Sequence, residues 1–212
     1  MSRTKRRRNG IYIRRIVMTV VGVMFLGVAV GFFNYSNFGI DPFQTFAHGI
    51  ALHVPLQFGT TYMIINAVEL VVIFLIDRSK IGLGTMINLF LLGYSVEFSS
   101  DLIRKLFDGW GGGLTLQIIS LLIGTVLMCF CAALYFSADL GVSTHDAIAL
   151  IISERQSKVP FAAVRIANDI VCVVIGVLLG QIAGIGTLIS ALFTGPLVAF
   201  FRRHCTDRML AG

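Results

Sequence analysis

The chain of 212 residues is 56% hydrophobic and only 13% charged, with a mean hydropathy of +0.86, whereas a soluble domain carries about 25% charged residues. That composition excludes a soluble globular protein and leaves an integral membrane protein, with room for six spans of about 20 residues each. The net charge of +6 is no nucleic-acid signature, because seven of the 17 Lys and Arg residues crowd the first 15 positions ahead of an apolar run, where basic residues set membrane orientation.

After this basic arm (residues 1–15), the first span runs from Ile16 to about Tyr35. The segment Phe38-Gly39-Ile40-Asp41-Pro42 reads as helix-start punctuation, with Asp41 as N-cap and Pro42 at the first helical position. The apolar stretch from Phe43 to Leu52 is too short to cross a bilayer. A second span covers about Thr60 to Ile76, and Gly82-Leu83-Gly84-Thr85 opens a third that reaches about Phe98. Residues 99–117, with Trp110 and three consecutive glycines, form a linker. Further spans cover about Leu116–Phe136, Phe161–Leu179 and Ile182–Phe201, and a basic tail occupies 202–212. Cys129, Cys131, Cys172 and Cys205 form neither a zinc set nor a redox pair.

The chain repeats itself at an offset of 102 residues (184 − 82). Gly82-Leu83-Gly84-Thr85 returns as Gly184-Ile185-Gly186-Thr187, Gly39 as Gly141, Asn66 as Asn168 and Val71-Val72-Ile73 as Val173-Val174-Ile175. Residues 16–98 and 118–201 are thus two copies of one unit. In the second copy Ser143 or Thr144 caps the short helix that Asp41 caps in the first. Three spans per copy is an odd number, so the copies cross the membrane in opposite directions. Charge agrees: with the N-terminus inside, fifteen Lys and Arg residues, Arg165 among them, lie on the inner side, and only Arg104 and Lys105 lie outside. The expected fold is all-α, six transmembrane helices as two inverted three-helix repeats, each with a short helix that is either re-entrant or interfacial. The expected location is a bacterial cell membrane, with both termini cytoplasmic.

Inverted repeats with short helices at matching positions are a recurring architecture of secondary transporters, whose site lies where the copies meet. The polar residues of the spans and caps are the candidates for such a site: Asp41, Asn66, Glu69, Asn88, Ser143 and Asn168. Asn66 lies about six residues, roughly 9 Å, into its span from the outer side, and Asn168 lies at a similar depth from the inner side. Either asparagine serves equally as interhelical hydrogen-bond glue. Glu69 is the candidate for proton coupling, since an intramembrane carboxylate is costly and functional by default. Arg165 stands four residues before Asp169 and can neutralise it. His145-Asp146 suggests a proton relay, but the first copy has Phe43-Gln44 there. The glycine stripes let helices approach closely. His48 and His53 lie beside an outer loop. Zinc, serine-nucleophile and phosphate-loop motifs are missing, so no enzyme, metal or cofactor is expected.

Phe38-Gly39-Ile40-Asp41-Pro42, Gly82-Leu83-Gly84-Thr85-Met86-Ile87-Asn88 and Ile182-Ala183-Gly184-Ile185-Gly186-Thr187 together resemble the YczE/YyaS/YitT group of bacterial membrane proteins, and most of all its YczE branch. The resemblance spans nearly the whole chain, although Ser143-Thr144 replaces Asp41-Pro42 in the second copy. It implies fold and location and carries no catalytic residue. The function expected is a transporter or exporter of a small polar or amphipathic solute, working by alternating access. The alternative is a non-transporting scaffold or substrate-capture subunit of a larger membrane complex. Expected partners are the lipid bilayer, the solute, and a second copy or another membrane protein, with no nucleic acid.

Overall fold

A computed structural model describes residues 3–108, 113–156, 159–207 and 209. The linker's Trp110, Gly111 and Gly112, and the basic residues Lys158 and Arg208, lie outside the described residues. Among the described residues, eight α-helices follow in order: α1 Arg3–Tyr35, α2 Pro42–Ala51, α3 Phe58–Ile76, α4 Leu83–Asp108, α5 Leu114–Ala138, α6 Thr144–Arg155, α7 Phe161–Leu178 and α8 Ile185–Phe201. No strand occurs among the described residues.

Among the described residues, five helical stretches are long and apolar enough to cross a membrane: Tyr12–Tyr35, Phe58–Ile76, Leu114–Ala138, Phe161–Leu178 and Ile185–Thr206. Leu75, Leu178 and Ile182 are 78%, 80% and 84% exposed, and so continuous an apolar exterior suits hydrocarbon rather than water. The α4 helix is not among the five. Its 26 residues include Asn88, Ser95, Glu97, Ser99 and Asp101, which dilute the hydropathy of the span expected there. Most of the expected linker at 99–117 is also helical, as α4 continues to Asp108 and α5 begins at Leu114.

Adding 102 to the first residue of α2, α4 or the Tyr12–Tyr35 span gives the first residue of α6, α8 or α5. The loops obey the same offset in their backbone. Asn37 (φ 56°) and Gly39 (φ 128°) match Asp139 (φ 53°) and Gly141 (φ 99°), left-handed positions that favour Asn, Asp and Gly.

Contacts between the copies come in exchanged pairs. The Gly84 N–H donates to Leu140 O at 2.7 Å, and the Gly186 N–H donates to Phe38 O at 2.7 Å. The Thr85 hydroxyl donates to Val142 O at 2.9 Å, and the Thr187 hydroxyl donates to Ile40 O at 2.7 Å. Each Gly-x-Gly-Thr motif thus grips the loop that precedes the other copy's short helix. In the centre, a Cβ on Gly22 would lie 3.2 Å from Tyr135 Cβ, and one on Gly124 would lie 2.8 Å from Phe33 N. The contact climbs α1 as it descends α5, so these two helices run antiparallel.

The core gathers along this α1–α5 seam, around Val23, Cys129, Ala133 and Tyr135. Both short helices pack into the bundle: α2 buries Phe43, Thr45, Ala47 and Gly49, and α6 buries His145, Ala147, Leu150 and Ile151. Cys129, Cys131 and Cys172 are buried free thiols, and Cys205 is exposed. The basic tail begins against the bundle. Its helical course continues through Arg202–Thr206, and the fully buried Thr206 donates to Ala133 O at 3.2 Å.

Candidate functional site

A cavity of about 130 Å³ opens where the two copies meet. Both short helices begin on its wall. Asp41 caps α2, its Oδ1 accepting from the N–H groups of Phe43 (2.9 Å) and Gln44 (3.2 Å). Ser143 caps α6, its hydroxyl accepting from the Asp146 N–H at 3.2 Å and donating to the Asp146 carboxylate at 2.5 Å. Each start thus has a side-chain cap from the chain itself, on two N–H groups in α2 and on one in α6.

The first turn of α6 organises a buried polar network. Arg165, on α7, pairs with Asp146, and its Nε donates to Asp169 Oδ2 at 3.1 Å. His145 Nε2 lies 2.8 Å from Asp169 Oδ1, and Asn168 Nδ2 lies 3.2 Å from His145 Nδ1. One tautomer satisfies both contacts: Nε2–H donates to Asp169 and Nδ1 accepts from Asn168. The Tyr135 hydroxyl donates to Asp146 at 2.7 Å and accepts from the Ser143 N–H at 3.0 Å. Arg165, Asp169 and His145 are 7%, 0% and 5% exposed, a depth at which charges persist only when paired. This corrects the position of Arg165, counted by charge among inner-surface residues but in fact a core residue that holds two aspartates. The expected pairing with Asp169 is present.

Of the six candidate residues, Asp41, Asn66, Asn88 and Ser143 line the cavity. Asn66 Oδ1 accepts from the Thr144 hydroxyl at 3.0 Å, while its Nδ2 donates to Tyr62 O at 2.9 Å. Glu69 stands just behind Asn66, its Oε2 2.7 Å from the same Thr144 hydroxyl. Asn168 is set back behind His145 and is not part of the wall. Asn88 is 8% exposed, and its Nδ2 has no hydrogen-bond partner among the described residues.

The wall also includes residues that sequence reasoning passed over or set aside: Tyr135, Phe136, Phe161, His145, Asp146 and Arg165. His145-Asp146 was set aside because the first copy lacks a counterpart. The run of polar side chains at the start of a buried helix, Ser143 to Asp146, was the available signal. His48, expected beside an outer loop, stacks on Phe58 with ring centroids 3.7 Å apart, whereas His53 is exposed. A second, mostly apolar crevice of about 100 Å³ runs between α3 and α4, past Met63, Leu70 and Leu89, and reaches Asn88 and Thr144.

The chain is 26% identical over 188 residues to a Haemophilus influenzae protein described as "Uncharacterized protein", covering 89% of this chain and 83% of that one. It is also 26% identical over 163 residues to "Uncharacterized membrane protein YczE" of Bacillus subtilis, covering 76% of this chain and 73% of the relative. No solved structure matches. Residues 13–203 match the model of the family of unknown function DUF6198; the chain belongs to that family, a YczE-like family of membrane proteins.

Proposed function

We propose that the protein is a secondary transporter of a small polar or amphipathic solute, built from two inverted three-span repeats that rock about the cavity between them. The observation that carries this reading is the convergence of both copies on one cavity, with the capped start of each short helix on its wall. Transporters of this architecture place their site at such a meeting of interrupted helices. On this reading α4 is the sixth span and α2 and α6 are re-entrant. The support for α4 is its packing on α1: Gly27 lies against Ser95 and Gly31 against Ser99, and the Ser99 hydroxyl donates to Gly27 O at 2.8 Å. Of the polar residues that lower its hydropathy, Asn88 and Ser99 are buried, whereas Glu97 and Asp101 are exposed. The antiparallel course of α1 and α5 fits opposed copies. Lys80 bonds Glu154 at 2.6 Å, and Arg155 bonds Ile76 O at 2.9 Å. These basic residues of both copies therefore share one face, which the reading assigns to the cytoplasm.

Glu69 is the proton-coupling group of this reading. The Thr144 hydroxyl faces two acceptors, Asn66 Oδ1 and Glu69 Oε2, yet carries one proton. A proton on Glu69 would donate to Thr144 and free the hydroxyl for Asn66, which ties protonation to the hold of α3 on α6.

The test is sided thiol labelling in a background lacking the four native cysteines. Asn66→Cys, on the cavity wall, is expected to react with a small water-soluble reagent from one side of the membrane. Asn168→Cys, shielded by His145, is expected to react more slowly and from the other side. Glu69→Gln should preserve folding and remove the pH dependence of the Asn168→Cys labelling rate beyond that of the thiol's own ionisation. Two unreactive sites in a folded protein would dismiss the transport reading, and unchanged pH dependence would dismiss Glu69.

A further inference from the structure

We infer that the cavity receives a small organic ammonium bearing an oxygen acceptor near its cationic head, an inference that rests on reading the cavity as the transport site. Among the described residues its wall carries two aspartates, Asp41 and Asp146, and one Arg or Lys, Arg165, which Asp146 and, from behind the wall, Asp169 hold between them. Asp41 shares the wall but forms no ion pair among the described residues, and both hydrogen bonds of its carboxylate use Oδ1. The second oxygen is left for an occupant. At the start of α2 an anion is disfavoured because Asp41 already occupies the N–H groups of Phe43 and Gln44 that would bind it, and at the start of α6 the Asp146 carboxylate beside the Ser143 cap repels one.

The rest of the wall suits an organic cation better than a bare metal ion. Phe43 and Tyr62 meet at 5.5 Å on one side. Phe136 bridges Tyr135, at 4.6 Å, and Phe161, at 5.9 Å, on the other. Aromatic faces around a carboxylate attract alkylammonium groups through the ring quadrupole. Asn88 supplies the independent observation. Its amide, more than nine-tenths buried on the wall, has a donor without an acceptor, and such a group is costly unless a ligand oxygen meets it. The apolar crevice between α3 and α4, which reaches the same Asn88, suits the alkyl portion of the solute.

Choline is the probe, titrated calorimetrically into purified protein in nanodiscs. The controls are 3,3-dimethylbutanol, its neutral isostere, and tetramethylammonium, which lacks the hydroxyl. Choline should bind at least about tenfold more tightly than either. Asp41→Asn keeps an N-cap residue of equal rank and should weaken choline by a similar factor. Asn88→Leu should remove the preference over tetramethylammonium. Equal binding of the neutral isostere, or choline binding unchanged in Asp41→Asn, would overturn the assignment. Sided thiol labelling without choline binding would overturn the ligand and leave the transport reading standing. Choline binding in a protein whose thiols stay unreactive would uphold the ligand and end the transport reading.

Discussion

At the scale of residues, the cavity depends on one arginine. Arg165 is buried between Asp146 and Asp169, and removing one member of such a set costs about 3–5 kcal/mol because the remaining charges stay buried. Arg165→Met should therefore lower thermal stability in detergent markedly. Asp169→Asn leaves the Arg165–Asp146 pair in place and should cost clearly less. The double variant should recover part of the loss, because it no longer buries Asp169 without its cation. If the two single variants melt alike, the arginine does not anchor the site. The pair itself was legible in the sequence as an i, i+4 spacing, whereas Asp146 as its second partner was not. That contact joins residues 19 apart across α6 and α7, and no local periodicity encodes it.

At the scale of elements, the helices were legible wherever punctuation and hydropathy agreed. Asp41-Pro42 and Ser143 start α2 and α6 at the expected positions, and α3 and α7 fall where their apolar runs lie. The extent of α4 was harder to read, because Ser95 and Ser99 pack on α1 while a hydropathy average counts them, together with the exposed Glu97 and Asp101, as cost. Nor does the sequence show which glycines are crowded. Gly195 and its counterpart Gly93 look equivalent, but a Cβ on Gly195 would lie 2.8 Å from Ala162 O, while one on Gly93 meets nothing within 4 Å. Gly195→Ala is thus expected to cost about 1–3 kcal/mol through overpacking. Gly93→Ala should be neutral or stabilising, by up to about 1 kcal/mol, as its helix loses an unconstrained residue. Thermal unfolding of both variants checks the contrast, and equal losses would mean that α3 and α4 pack as α7 and α8 do.

At the scale of the whole molecule, the proposed transport gives that contrast a direction. The copies share their loops, caps and cross-contacts, yet α7 is packed along α8 while α3 stands off α4 with the apolar crevice between them. Two copies of one unit in different arrangements are what alternating access requires, and exchanging the arrangements generates the opposite state. A native residue reports on that exchange. Leu70 lines the open crevice, and the residue 102 positions later is Cys172, now 8% exposed on α7. Closing α3 onto α4 while α7 parts from α8 should uncover Cys172 to the half-buried level that Leu70 has now. With Cys129, Cys131 and Cys205 replaced, Cys172 should react slowly with a small thiol reagent, at a rate set by how often the opposite state forms. Gly93→Leu should wedge α3 and α4 apart without crowding the present state and so suppress that reaction several-fold. A Cys172 that reacts equally in both backgrounds is reached by local opening alone, and one that reacts in neither belongs to a protein whose halves do not exchange.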